Sequence, residues 1–466
     1  MNSRQKISSL VTSTIAKFRQ SANLTSILIL VFWAFASRGL GLVREILVGR
    51  LSPIEAEIFN AASVLNENIV TLFILGSVGV ALLPQIIKLD AQKNTKTNQF
   101  LTWSMIFFSG FIGVLCLIGI IFSADLLKLI NLDLYTRVKS YGLEHNYVLL
   151  NQIFLVAPIL FAVKTIFGVF LNANKSFKVF ALDGVLSNIG SIIGLSLLYG
   201  LFGITGAAYG LLTGFTIAMI AFGWDAWRIG FRFDIGWFDG IGGYLIQALY
   251  LFLPRILIFP AARLAETLIT ILSKNTGELS ALRMAMNIQG VFYGLMVAVG
   301  AVFLPDIAKI LINHGRSDAF WKHLYKYLML TLVFGGIATV ITALFNPVLL
   351  LIIRTLSFAK PSSLLNHPDI FNLIIQLTVL GSAAIIFQSM CEILNRYFIA
   401  LEANWYPIIS SVIANVVSAI LCLVLLQFIG GFTAQVVMFS FVINNILLTL
   451  FLGARCYIDY RQTRTA

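Results

Sequence analysis

Five arginines (Arg38, Arg44, Arg255, Arg263 and Arg283) and four glutamates (Glu45, Glu57, Glu67 and Glu266) interrupt stretches that are otherwise apolar. An ionised side chain in hydrocarbon costs from ~2.5 to more than 10 kcal/mol depending on the reference state, so such groups face water, a partner or a ligand. Arginine suits an anionic ligand. Its planar fork grips phosphate oxygens two at a time, and it stays charged when partly dehydrated. Arg255 and Arg263 are spaced a little over two helical turns apart, which sets them on nearly one face. Lys164 and Glu392 are further charges inside apolar runs. Two readings compete. In one, the charges snorkel to headgroups or pair with Glu45, Glu57 and Glu266 as structural salt bridges. In the other, the arginines line a water-filled cavity for an anionic headgroup, with Glu45, Glu57, Glu67 and Glu266 as acidic partners in the cavity. The placing of arginines in the opening helix of both halves of the chain favours the cavity.

The elements that must hold these groups are membrane helices. Of 466 residues 59% are hydrophobic and 11% charged, too few to wet the surface of a soluble protein this long. Residues 20–37, 68–87, 97–124, 284–305, 327–353 and 370–391 contain no Asp, Glu, Lys or Arg. About 20 apolar residues cross a ~30 Å hydrocarbon core, so each run holds one span. Residues 184–224 and 403–454 are charge-free and twice that length, each broken near its middle by glycines (Gly200 and Gly203; Gly430 and Gly431). With less clean spans near 146–171 and 243–273, the expected fold is an all-α polytopic membrane protein of about twelve transmembrane helices.

Gly79 to Lys88 is echoed by Gly300 to Lys309, Asn188 by Asn415 and Thr205 by Thr433, all at a nearly constant offset. This predicts two pseudo-symmetric six-helix lobes with a substrate cavity between them. The expected divisions are an amphipathic interfacial segment over 1–21, an N-lobe over 22–224, a linker over 225–240 and a C-lobe over 241–466. The net charge is +12, and its cations fall mostly on loops of the side that holds the N-terminal tail. The positive-inside rule then sets both termini in the cytoplasm. Spread over short loops, these cations make no nucleic-acid patch.

Gly39-x-Gly41-x-x-Arg44 lacks the third glycine of a dinucleotide loop, and no phosphate-binding nucleotide loop is present. The four cysteines have no metal spacing, and the histidines fall in expected loops. The expectation is a transporter, not an enzyme, with no cofactor, though a coupling ion stays open. Its ligand would be an anionic lipid headgroup, its surroundings membrane lipids, its state a monomer.

The run Ser37-Arg38-Gly-Leu-Gly41-Leu-Val-Arg44-Glu45 resembles the first-helix signature of the MurJ (MviN) lipid II flippases, in the MATE-like flippase superfamily. Gly76 to Pro84, Leu171 to Phe177, Asn188 and Leu394 to Pro407 add weaker matches, so the resemblance covers nearly the whole chain. It implies an inner-membrane flippase for a lipid-linked pyrophosphate cell-wall precursor, working by alternating access in peptidoglycan biosynthesis. Arg38 and Arg44 match that family's essential first-helix arginines, and Glu57 its acidic residue at the start of the second helix. The family's second-helix arginine falls near Val70 here, its acidic partner near Leu75, and Arg283 lies about one turn before the eighth-helix arginine. The family usually has fourteen helices. Two alternatives stay open: a flippase for another lipid-linked polysaccharide unit, or a cation-coupled multidrug exporter of the same superfamily, which would want carboxylates in the cavity.

Overall fold

The computed structural model describes residues 22–71, 78, 81–82, 85–86, 89, 96–174, 176, 178–256, 264–272, 275–356, 363–401, 403, 405–428 and 433–465. The expected interfacial segment over 1–21 lies outside them. All regular elements among the described residues are helical. The first half comprises α1 (Ala22–Val48), α2 (Pro53–Ile69), α3 (Lys96–Ile121), the short α4 (Ser123–Ile130) and α5 (Leu132–Ser140), then α6 (Glu144–Ala173), α7 (Lys178–Ile193), α8 (Tyr199–Phe202) and α9 (Ile204–Ile229). The second half comprises α10 (Ile241–Ile256), α11 (Leu264–Leu272), α12 (Glu278–His314), α13 (Asp318–Leu356), α14 (Pro368–Ala400), α15 (Trp405–Phe428) and α16 (Thr433–Thr465).

Among the described residues, eight helical stretches are long and apolar enough to cross a membrane: Lys96–Ile121, Glu144–Ala173, Gly184–Phe202, Ile204–Ile229, Asp318–Thr355, Pro368–Ala400, Trp405–Phe428 and Thr433–Thr463. They coincide with the apolar runs of the sequence. The second expected span runs into undescribed residues 72–77, and the seventh crosses undescribed residues 257–263. The break expected at Gly203 is a turn with φ +60°, a left-handed conformation that glycine adopts without strain. The break at Gly430 and Gly431 lies outside the described residues.

Each half packs mainly on itself. In the first, α6 packs on α3 and α9, and α9 on α7; in the second, α14 packs on α12, α13 and α16, and α16 on α15. The α7–α9 crossing is very close. A Cβ at Gly190 would stand 2.6 Å from the Gly214 Cα, so glycines let the two backbones meet. Large side chains on the opposite faces, such as Phe107, Val114 and Leu117 on α3 and Leu344 and Phe345 on α13, are exposed. In a membrane helix that surface meets lipid tails, which are as apolar as the side chains.

The connection Phe231–Phe238 is irregular and clings to the first half. Phe231 meets Phe167 and Phe170, Trp237 meets Trp103, and the Trp103 indole N–H donates to the Gly236 carbonyl at 3.3 Å. α10 follows it onto α3, with Phe252 against Phe108. The halves meet where α1 and α2 pack against α12, and α2 against α11. At the α1–α2 turn a Cβ on Gly49 would stand 2.5 Å from the Leu365 side chain. Only a residue without one lets the second half come so near. The backbone N–H of Leu364 donates to the Leu51 carbonyl there at 2.8 Å.

Candidate functional site

The first-helix signature divides its labour by helical face. Asn188 on α7 donates to the Ser37 carbonyl at 2.9 Å and to the Gly184 carbonyl at 2.8 Å. A Cβ on Gly41, one turn beyond Ser37, would stand 3.9 Å from the same amide. Ser37 and Gly41 therefore dock α1 onto its own half. Arg38, rotated by about 100° from Ser37, is turned toward the other half instead.

That other half receives it on glycine. A Cβ on Gly294 of α12 would lie 3.4 Å from Arg38 Nε, and one on Gly290 would lie 3.5 Å from Arg38 Nη1. The two glycines, a helical turn apart, leave a shallow seat across which the guanidinium lies. Arg38 is exposed, and among the described residues no carboxylate pairs with it. Tyr293 stands on α12 between the two glycines. The Tyr293 hydroxyl lies 3.5 Å from Glu392 Oε2 on α14, and Glu392 accepts from Arg396 Nε at 2.8 Å and Nη2 at 2.7 Å. Arg38, Tyr293, Glu392 and Arg396 thus bring together three helices of both halves, with two positive charges against one negative.

The other expected site residues stand elsewhere. Arg44 is bound to its neighbour Glu45, Nη2 to Oε1 at 2.7 Å, with Glu45 buried. Arg283 of α12 reaches into the first half, donating to Asn60 Oδ1 at 3.3 Å, to the Ser63 hydroxyl, and to Glu67 Oε2 at 2.8 Å. Glu57, only 1% exposed, accepts from the Gly277 backbone N–H at 3.0 Å and lies 3.5 Å from the Ser280 hydroxyl. It caps α12, whose first N–H groups have no partner inside their own helix. Asn60 donates to Ser280 at 2.9 Å, Asn68 to Thr267 at 3.0 Å and Asn131 to the Thr270 carbonyl at 2.7 Å. Together these residues form a latch between the halves. Measured along α12 at 1.5 Å per residue, Ser280 and Arg283 of this latch lie about 10–21 Å from the Arg38 seat. Arg263 lies outside the described residues, as do the side chains of Arg255 and Glu266.

Lys164 is buried and lies 3.6 Å from the Phe161 ring centroid, a desolvated cation–π contact. From the sequence Glu392 reads as a charge inside an apolar run, and Arg396 only as one of the loop cations. Their i, i+4 spacing at the end of the tenth apolar run was the signal that joins them. Tyr293 gave no signal, because one tyrosine in a membrane helix is ordinary.

The chain matches the family described as lipid II flippase MurJ over residues 53–463. No curated protein matches it in sequence. Among solved structures it is similar to a lipid II flippase MurJ in an inward closed conformation, with TM-score 0.75 and 20% identity over 92% of this chain and 87% of that one. It is also similar to a multidrug resistance MATE family transporter of the MOP superfamily. The inward-facing form of such a transporter matches with TM-score 0.73 and 15% identity, covering 94% of this chain and all of that one. An outward-facing form matches with TM-score 0.65 and 14% identity, covering 96% and 98%. At these identities the likeness is one of fold: two helical bundles of the MATE type.

Proposed function

The chain belongs to the MurJ family of lipid II flippases, and from that premise we propose that it carries a lipid-linked pyrophosphate cell-wall precursor from the inner to the outer leaflet of the plasma membrane. The observation that carries this reading is Arg38, an exposed guanidinium seated on Gly290 and Gly294 where the two halves meet. A pyrophosphate between the halves has this exposed fork to bind. Arg396 adds a second cation if the headgroup draws it from Glu392. The polyprenyl tail stays in lipid throughout.

The cycle is alternating access, with the halves rocking about the bound headgroup. The termini lie in the cytoplasm by the distribution of loop cations, so the α1–α2 turn and the latch around Glu57, Glu67 and Arg283 fall toward the outer face. In this reading Arg283 closes the outer gate, while Arg38 holds substrate. The membrane potential, interior negative, favours outward movement of an anion by ~2.3 kcal/mol per charge per 100 mV.

The Glu392 carboxylate is held by Arg396, and the group as a whole stays cationic, which weighs against export of cationic drugs. The test is rescue: a cell depleted of its own lipid II flippase grows if supplied with this chain. Failure of the well-expressed chain to rescue, with normal flipping of another polyprenyl-linked sugar, would move the substrate class and leave the architecture.

A further inference from the structure

A cavity of about 530 Å³ opens in the second half, away from the seam between the halves, where α13 begins and where α14 and α16 approach their ends. Its walls are Leu324, Leu328, Met390, Leu394 and Cys456, and Tyr325, Tyr457 and Lys322 stand at its mouth. We propose that this cavity binds one acyl chain of an anionic phospholipid, with the phosphate of the headgroup held at Lys322. This is a site independent of the transport reading above.

Three features of the cavity converge on that occupant. Its volume lies in the range of small-molecule sites, ~300–1,000 Å³, and its wall is apolar, which suits a hydrocarbon chain. Its mouth lies at helix ends, the level at which a spanning bundle meets headgroups, and it is rimmed by tyrosines, as membrane interfaces are. Trp321, at the inner wall, packs edge-on against Tyr460 with centroids 5.2 Å apart. The lining holds one cation, the exposed Lys322, and one acid, Asp318; a second cation stands beside the rim, where the Arg461 guanidinium lies 5.6 Å from the Tyr457 ring, and tips the charge around the mouth positive. Basic clefts between membrane helices on the positively charged side recognise anionic headgroups, each cation near the surface contributing about 1 kcal/mol. A neutral or zwitterionic lipid would fill the apolar part equally well and gain nothing at Lys322.

The wall offers its own reporter. A protein with Trp321 as its only tryptophan (Trp33, Trp103, Trp224, Trp227, Trp237 and Trp405 changed to Phe) is reconstituted in phosphatidylcholine vesicles containing a minor share of phosphatidylglycerol. Bromine on the acyl chains of either lipid quenches an indole on contact. Brominated phosphatidylglycerol is expected to quench Trp321 about fivefold more, mole for mole, than brominated phosphatidylcholine, and Lys322→Gln to bring that ratio toward one. Gly453→Phe fills the cavity, since nothing lies within 4 Å of where a Cβ on Gly453 would stand. It is expected to abolish the excess. Should the sole-tryptophan protein not reconstitute, the same contrast is read as the quenching lost on Trp321→Phe in the otherwise unchanged chain. Equal quenching by the two lipids overturns the proposal, and so does an excess that survives Gly453→Phe. Selectivity unchanged in Lys322→Gln overturns the assignment of the headgroup.

Discussion

Arg283 Nη2 lies 2.8 Å from Glu67 Oε2, an ion pair that crosses from the second half of the molecule to the first. The arginine side chain is 8% exposed and the carboxylate 26%. Such a pair adds little net stability over an apolar packing, but breaking it by removal of one partner leaves a charge stranded at a cost of ~3–5 kcal/mol. In the proposed alternating-access cycle the two halves part here, so a charge stranded between them favours the parted state.

The prediction is that Arg283→Ala widens the α1–α2 end. Spin labels at Arg50 and His367, both exposed and flanking the Leu364–Leu51 hydrogen bond, should report a longer mean distance than in the parent. Glu67→Ala added to Arg283→Ala should cost less than the sum of the two single changes, as expected of residues that touch. An unchanged distance distribution in Arg283→Ala would mean that the pair is no gate.

The docking of α1 on α7 gives a second prediction. Asn188→Ala removes the amide that donates to the Ser37 and Gly184 carbonyls. With net values of ~0.5–1.5 kcal/mol per hydrogen bond, it should lower the thermal midpoint by a few degrees while impairing transport more than stability, since Arg38 loses its aim. Tm in detergent together with a flipping assay separates the two effects. Transport at the parent rate in a destabilised protein would refute the positioning role.

The seat of Arg38 is tested by size. Gly294→Ala adds a methyl at ordinary contact distance, 3.4 Å from Arg38 Nε, and should keep most activity. Gly294→Val should displace the guanidinium and lower transport several-fold at normal expression. Equal activity of the two variants would show that the arginine does not use this surface.

Much of this was legible in the chain because charges in apolar helices are conspicuous. Arg38 stood out as a cation inside an apolar run, and the side-by-side Arg44 and Glu45 already suggested an ion pair. What could not be read was which partner each group takes across the fold. Arg283 and Glu67 belong to opposite halves, and nothing local to either marks the other as its ligand. By residue type and position in the chain Arg283 groups with the headgroup arginines, whereas its guanidinium is bound to Asn60, Ser63 and Glu67. The short helices α4 and α5 were missed because residues 123–140 are too few and too polar to span a membrane, so hydropathy is silent on them. Gly290 and Gly294 carried no signal either. A glycine in a membrane helix says only that something comes close, and here it is the side chain of Arg38.

The central claim is that the Arg38 guanidinium engages the anionic headgroup, and initial rates of flipping of a labelled lipid-linked precursor in vesicles test it most directly. Charge-assisted hydrogen bonds contribute ~1.5–3 kcal/mol each, so Arg38→Ala should slow transport about tenfold to a hundredfold, and Arg38→Lys, which keeps the charge but loses the fork, should fall between. Arg38→Ala protein that is folded, inserted and flips the precursor at the parent rate would contradict the account.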